Sequence, residues 1–178
     1  SEEYIELYID KLGKNNSLYF HKESYNLPNN NFIDNLELFY YDDFGIYIYK
    51  SDNNYLLIRA YTKNQPPNLT GHFHQDQLSI ELHINGKPII VDPGSYLYTP
   101  DLVKRNLFRS IYYHSVPFHI SDFDLSPSFN NIFLNNKIYK CEIYHFSNFG
   151  FYGSMKVKDK LIERIIILNK KSIEIYNI

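Results

Sequence analysis

The sequence predicts an all-β domain of antiparallel strands, folded as a sandwich or a barrel. Aromatic residues make up 17% of the chain, with 18 Tyr and 13 Phe, and both residue types suit half-buried strands. From Phe39 onward, short apolar segments alternate with turn residues, and no helical periodicity lies between them. The pair Asn85-Gly86 separates two such segments and strongly predicts a β-hairpin.

The elements follow in order. Residues 1–13 place apolar side chains at helical spacing and predict a short amphipathic helix, and the Asn-rich residues 14–35 predict a linker. Residues 36–178 predict the β domain. Its strands are expected at 44–49, 55–60, 77–84, 87–92, 115–120, 137–146, 149–157, 160–169 and 172–177. The long irregular stretch 93–113 is typical of a functional loop.

Composition excludes several classes of function. The net charge of −2 does not support nucleic-acid binding. The single cysteine, Cys141, excludes an internal disulfide, and no apolar run reaches the length of a membrane span. The strand-like pattern continues to Ile178, so we expect this sequence to be a piece of a longer protein.

The segment around His72 and His74 has the strongest functional pattern. The two histidines lie two residues apart just before a predicted strand, so in an extended segment they point to one side, about 6–7 Å apart. Together with the carboxylate of Asp92 and the imidazole of His114, they form a reasonable ligand set for a divalent metal such as zinc. Because Asp92 precedes a Pro-Gly pair, it is equally well placed to cap a turn.

The register of the hairpin decides whether Asp92 can face His74. A two-residue turn pairs Ile84 with Lys87 and puts Asp92 on the opposite face of the strand from His74. A three-residue turn with a bulge pairs His83 with Lys87 and puts both on one face. The metal hypothesis requires the bulged register, or a kink near residues 75–77.

A longer motif now suggests a family. The run GHFHQDQLSIELHINGKPIIVDPGSYLY, followed by RNLFRSIYYHSV, resembles the C-terminal β-sandwich domain of heparinase II/III-like polysaccharide lyases over about residues 71–116. The resemblance implies an antiparallel β-sandwich that follows an N-terminal α/α toroid in the same protein. It also implies β-elimination on polysaccharides that contain uronic acid.

The resemblance also assigns roles to single residues. It implies that His72 is catalytic, and that His74, Asp92 and His114 hold a structural metal ion, most often zinc. Tyr98 lies close to a loop tyrosine implicated in catalysis in some relatives. Arg109 matches the arginine of the family's Phe-Arg-Ser motif, and we predict from side-chain chemistry that Arg105 and Arg109 bind substrate carboxylates.

The expected partners are an acidic polysaccharide and the N-terminal toroid, which supplies the remaining catalytic groups. This chain alone is therefore expected to be inactive. The family favours a bacterial periplasmic or extracellular location and leaves the cytoplasm open. Two other functions stay open: a non-catalytic carbohydrate-binding or structural metal-binding module, and a cupin-like metalloenzyme. The cupin hypothesis is the weaker of the two, because cupins have a glutamate a few residues after the second histidine, whereas Glu81 lies seven residues after His74.

Overall fold

The protein folds as two antiparallel β-sheets packed face to face, which confirms the predicted all-β sandwich. The structure is a computed structural model that describes residues 21–27, 32–63, 73–97, 100–118 and 139–178. In these ranges the first sheet has the order β1-β10-β9-β8-β7, with strands His21–Asn26 (β1), Cys141–Ser147 (β7), Gly150–Val157 (β8), Lys160–Leu168 (β9) and Ser172–Asn177 (β10). The second sheet follows chain order, with strands Glu37–Tyr41 (β2), Ile46–Lys50 (β3), Tyr55–Arg59 (β4), Ile80–Ile84 (β5) and Lys87–Ile90 (β6).

The core between the sheets follows from the alternation of apolar residues along the strands. Every second residue of β3, β4 and β5 is buried, as expected when one face of a sheet is covered. Tyr47 and Tyr49 of β3 reach across to Phe146 of β7, with ring centroids 5.1 and 5.0 Å away. Aromatic contacts and aliphatic packing therefore join the two sheets.

The first strand lies where the sequence predicted a linker. His21–Asn26 pairs with β10 along its whole length, from His21 opposite Asn177 to Asn26 opposite Ser172. Its sequence HKESYN is polar and mostly exposed, as suits an edge strand, so hydrophobic alternation could not identify it. The predicted helix at residues 1–13 lies outside the described residues.

The strand predicted at residues 115–120 is wrong over its described part, because residues 115–118 form no strand. Pro117 lacks a backbone N–H. Ser115 makes the cross-strand contact with its side chain instead: its Oγ accepts from the Ile80 N–H at 2.8 Å and donates to the Ile80 carbonyl at 2.6 Å. The side chain of Ser115 therefore makes the two hydrogen bonds to Ile80 that the backbone of a neighbouring strand would otherwise make.

The predicted functional loop contains a short helix, Leu102–Phe108 (α1). Asp101 caps it, because its Oδ1 accepts from the Lys104 N–H at 2.9 Å. A 3-10 turn, Ile111–Tyr113, follows directly and leads the chain to His114. His114 therefore directly follows a helix and a 3-10 turn within this loop.

The hairpin turn is the tight two-residue form. Asn85 and Gly86 both have positive φ, 52° and 72°, and Ile84 pairs with Lys87. These are the φ values that a type I′ turn requires, which explains the Asn-Gly sequence. The three-residue turn is therefore excluded.

Candidate functional site

A β-bulge in β6 changes the face on which Asp92 lies. The pairing shifts by one residue next to the turn, so that Leu82 lies opposite Ile90. Because side chains alternate along a strand, continuing this register by two residues puts Asp92 on the same face as Leu82. The kink that the sequence analysis gave as the alternative is also present, since the Ser79 N–H donates to the Asp76 carbonyl at 3.0 Å in a turn between His74 and β5. The sequence analysis placed a possible bulge in the turn itself. The structure has it in the strand, just after the turn.

Asp92 contacts His114 directly. The His114 Nδ1–H donates to Asp92 Oδ2 at 2.5 Å, and the other oxygen, Oδ1, accepts from the Gly94 N–H at 2.8 Å. Burial would raise the pKa of Asp92, but these two hydrogen bonds and the charge of His114 outweigh it and hold the pKa below its usual value. Asp92 therefore caps its turn and also orients His114.

His74 lies beside this pair. The centroids of its ring and the His114 ring are 5.1 Å apart, and the rings are inclined by 40°. Burial, together with the charges of His114 and Arg109, lowers the pKa of His74 to about 4. The imidazole is therefore neutral at pH 7, which leaves a lone pair to bind a metal ion or a proton.

The chemistry of these three side chains fits a divalent metal ion. The His114 side chain is fully buried, and its Nε2 has no hydrogen-bond partner in the part of the chain that the structure describes. A carboxylate that accepts from one nitrogen of a histidine and leaves the other nitrogen free is typical of metal-binding histidines. However, among the described residues no group of three or more His, Cys, Asp or Glu is already arranged to hold a metal ion. Both oxygens of Asp92 instead accept hydrogen bonds, Oδ2 from His114 Nδ1 and Oδ1 from the Gly94 N–H.

The two predicted arginines lie buried beside the site. Arg109 donates from Nε and Nη2 to the Phe73 carbonyl at 3.2 and 3.1 Å, and its own carbonyl accepts from the Gln75 N–H at 2.9 Å. Arg105 is 1% exposed, and its charge, like that of Arg109, lowers the pKa of His74. Their role in substrate binding stays a prediction, whereas Arg109 clearly fixes the backbone on both sides of His74.

Several residues that support the site were missed from the sequence. Arg59 pairs with Asp76 at 3.5 Å and covers the Phe73 ring at 5.6 Å. The Gln77 side chain accepts from the Tyr61 N–H at 2.7 Å. Asp76 and Gln77 belong to the quoted motif. Two polar residues just before an apolar strand could have indicated that they support the site.

The backbone directly after Gln77 is strained. Leu78 is fully buried and has φ of 61°, a conformation that is unfavourable for a leucine. Its N–H donates to the Arg59 carbonyl at 2.6 Å. The neighbouring contacts must therefore hold the segment in place. The catalytic histidine expected at His72, and Tyr98, lie outside the described residues.

Comparison with known protein families agrees with the motif. Residues 34–116 match the family model described as "Heparinase II/III-like, C-terminal". This match confirms the resemblance to a heparinase II/III-like C-terminal domain over residues 34–116. A search of curated proteins found no match. Within the described ranges, no helix has the length and apolar character needed to span a bilayer.

Proposed function

We propose that this chain supplies one side of the active site of a polysaccharide lyase that acts on polymers containing uronic acid. The family match over residues 34–116 supports the class of enzyme. The observation that carries the proposal further is the convergence of His74, Asp92 and His114, which come from three separate segments. A purely structural sandwich has no need of two adjacent imidazoles, of which His114 is buried and His74 is partly buried.

The proposed reaction is β-elimination. A base removes the C5 proton, which is acidic because it lies next to the uronate carboxyl group. The electrons of that C–H bond form the C4–C5 double bond, the C4–O bond breaks, and an acid protonates the departing oxygen. The developing negative charge on the carboxyl group has to be neutralised by nearby donors.

The proposed roles follow from chemistry and position. By resemblance to the family, His72 would exchange the proton or help to neutralise the carboxyl group, and Tyr98 would act as the loop tyrosine implicated in some relatives. His74, Asp92 and His114 would hold a divalent metal, most often zinc in this family, whose role is structural. Arg105 and Arg109 contribute positive charge close to the substrate carboxylate.

The remaining catalytic groups would come from an N-terminal toroid of the same protein. We therefore expect this chain to show no lyase turnover by itself. The assay uses the full-length protein with a panel of uronate polymers, and follows the unsaturated product by its ultraviolet absorbance.

Two histidine variants make the assay specific. His72→Ala should lower kcat by about a hundredfold or more, as expected for loss of acid–base catalysis. His83→Ala is the matched control, because His83 lies in β5 and its ring packs edge-on against Tyr55, with the ring centroids 5.8 Å apart. Equal losses in both variants, or turnover by this chain alone, would contradict the proposal.

Metal content tests the other part of the site. The purified chain should contain close to one equivalent of zinc or another divalent metal, and His74→Ala and Asp92→Ala should both lose it, while His83→Ala keeps it. Absence of metal after careful reloading would mean that the three side chains form only a hydrogen-bonded cluster.

One observation favours a second function, a non-catalytic carbohydrate-binding or structural module. The hydrogen bond between Asp92 and His114 gives Asp92 Oδ2 and His114 Nδ1 a partner without an ion. This alternative predicts binding of uronate oligosaccharides by the full-length protein without any unsaturated product.

A further inference from the structure

A buried arginine lies in the sheet that does not carry the motif. Arg164 is 4% exposed and belongs to β9, between the buried residues Ile162 and Ile166 on the same face of the strand. An apolar side chain at this position would continue the pattern of the core. A charged group here needs a specific reason, because removing it from water is costly.

The guanidinium bridges two segments of the other half of the sandwich. Its Nη1 donates to the Leu78 carbonyl at 2.5 Å and to the Ser115 carbonyl at 2.6 Å. Its Nε donates to Asn177 Oδ1 at 2.8 Å, which orients the group from the adjacent strand β10. We call the guanidinium of Arg164 and the carbonyls of Leu78 and Ser115 the Arg164 bridge.

Both carbonyls belong to the segments that carry the site. Leu78 follows His74 by four residues and has the strained φ of 61°. Ser115 follows His114 directly, and its hydroxyl bonds both backbone groups of Ile80. The Arg164 bridge therefore connects the His74 segment to the His114 segment through a single side chain.

The guanidinium is suited to this task. Its two Nη1 hydrogens can each bond one carbonyl, and bonds from a charged donor are stronger than neutral ones. Burial lowers the pKa of Arg164 to about 10, with Glu23 and Tyr25 opposing this, so the charge persists at neutral pH. The two carbonyls would otherwise lose a donor in a buried setting.

We propose that Arg164 is a positioning residue for the site, which sets the separation between the segments that carry His74 and His114. It lies outside residues 34–116, the part that matches the family model, so the site depends on the first sheet as well as on the second. What the site does rests on the proposed function, but the positioning role can be tested separately from it.

The first readout does not depend on a metal. Hydrogen exchange of the Ile80 amide, which bonds to Ser115 Oγ, is compared in wild type, Arg164→Met and Ile166→Ala. Ile166 is fully buried two residues away on the same face of β9, so its truncation lowers stability without touching the Arg164 bridge. In Arg164→Met, the Ile80 amide should exchange about tenfold faster relative to amides of β3, whereas Ile166→Ala should raise both together.

The second readout is zinc affinity, measured by competition with a chromophoric chelator. Arg164→Met should weaken it by about tenfold to a hundredfold, as is usual when a group that orients metal ligands is removed. Ile166→Ala should leave it unchanged under conditions where the variant is folded. If Arg164→Met does not fold, Asn177→Ala removes only the Nε acceptor and should shift both readouts in the same direction by a smaller factor.

The outcomes separate the two proposals. Faster Ile80 exchange in a chain that binds no zinc would support the positioning role and overturn the metal site. Unchanged Ile80 exchange and unchanged zinc affinity in Arg164→Met, or in Asn177→Ala where that variant replaces it, would overturn the positioning role and leave the metal site intact.

Discussion

The centre of the sandwich is built differently from the residues that form or support the candidate site. We call this second group, His74, Gln77, Asp92, His114 and Arg164, the edge. In the centre, fully buried aliphatic and aromatic side chains such as Ile58, Leu82 and Phe151 fill the space between the sheets. At the edge, the buried side chains include His114 and Arg164, and each has specific polar partners.

The contrast shows that two kinds of interaction stabilise one domain. Burial of apolar area is non-directional, so the centre depends on volume and alternation. Buried polar groups need partners at defined distances and angles, so the edge depends on individual contacts. Substitutions in the centre should therefore change stability strongly and the site weakly, and substitutions at the edge should do the reverse.

The largest effect is expected from truncating an aromatic ring in the centre. Phe151→Ala removes a fully buried ring and should lower the free energy of unfolding by about 3–5 kcal/mol, measured by urea denaturation. Phe149→Ala is the control, because Phe149 lies two residues earlier and is 43% exposed; its loss should stay below about 1 kcal/mol. Similar losses in the two variants would contradict the assigned core.

Two glycines test the space beside the backbone. Gly45 and Gly86 have similar φ, 62° and 72°, but a Cβ at Gly45 would lie 2.5 Å from the Tyr61 Cα, whereas one at Gly86 meets nothing within 4 Å. Gly86→Ala should cost about 1–2 kcal/mol from its left-handed conformation alone. Gly45→Ala adds the steric clash and should cost about 2–5 kcal/mol. Thermal unfolding of both variants measures the difference, and equal losses would refute the close approach.

The contact between Asp92 and His114 can be measured with a double-mutant cycle. Asp92→Ala should cost about 1–3 kcal/mol, because the buried His114 Nδ1–H loses its acceptor. With His114→Ala and the double variant, the coupling energy should be about 1–3 kcal/mol in metal-free protein. The control cycle combines Asp92→Ala with His145→Ala, because His145 lies in β7 of the other sheet and bonds Ser147. The effects of these two substitutions on the free energy of unfolding should add within about 0.5 kcal/mol. Coupling near zero for the first cycle would mean that the two residues do not interact in solution.

The smallest effect concerns Cys141. Burial raises the pKa of its thiol to about 12, and its Sγ lies 3.3 Å from Gln77 Oε1. Because the thiolate is the reactive form, iodoacetamide should alkylate the folded chain much more slowly than the urea-unfolded chain at pH 8. Equal rates would show that the edge opens readily around Gln77.

The sequence was a good guide wherever a pattern is local. Alternation located β3, β4 and β5 and the four C-terminal strands, and Asn85-Gly86 identified the hairpin turn. Alternation failed at β1, which is polar, and at Ser115, where a side chain replaces the strand ladder.

For the candidate site, the sequence singled out His74, Asp92 and His114, and the structure brings all three together. Their roles as ligands stay predictions. The support residues Asp76, which is partly buried, and Arg164, which is buried, were not singled out. Arg164 occupies an inward position of β9 beside isoleucines, but its partners Leu78 and Ser115 are far away in sequence, so no local pattern could pair them.

The sequence by itself therefore determined the class of fold, the tight hairpin turn and the residues of interest, because periodicity and turn chemistry act over a few neighbouring residues. Only the tertiary structure decided which face Asp92 occupies and what fixes the site. A one-residue bulge reverses the direction of every later side chain in a strand. The Arg164 bridge joins residues that only the packing of two sheets brings within hydrogen-bonding distance.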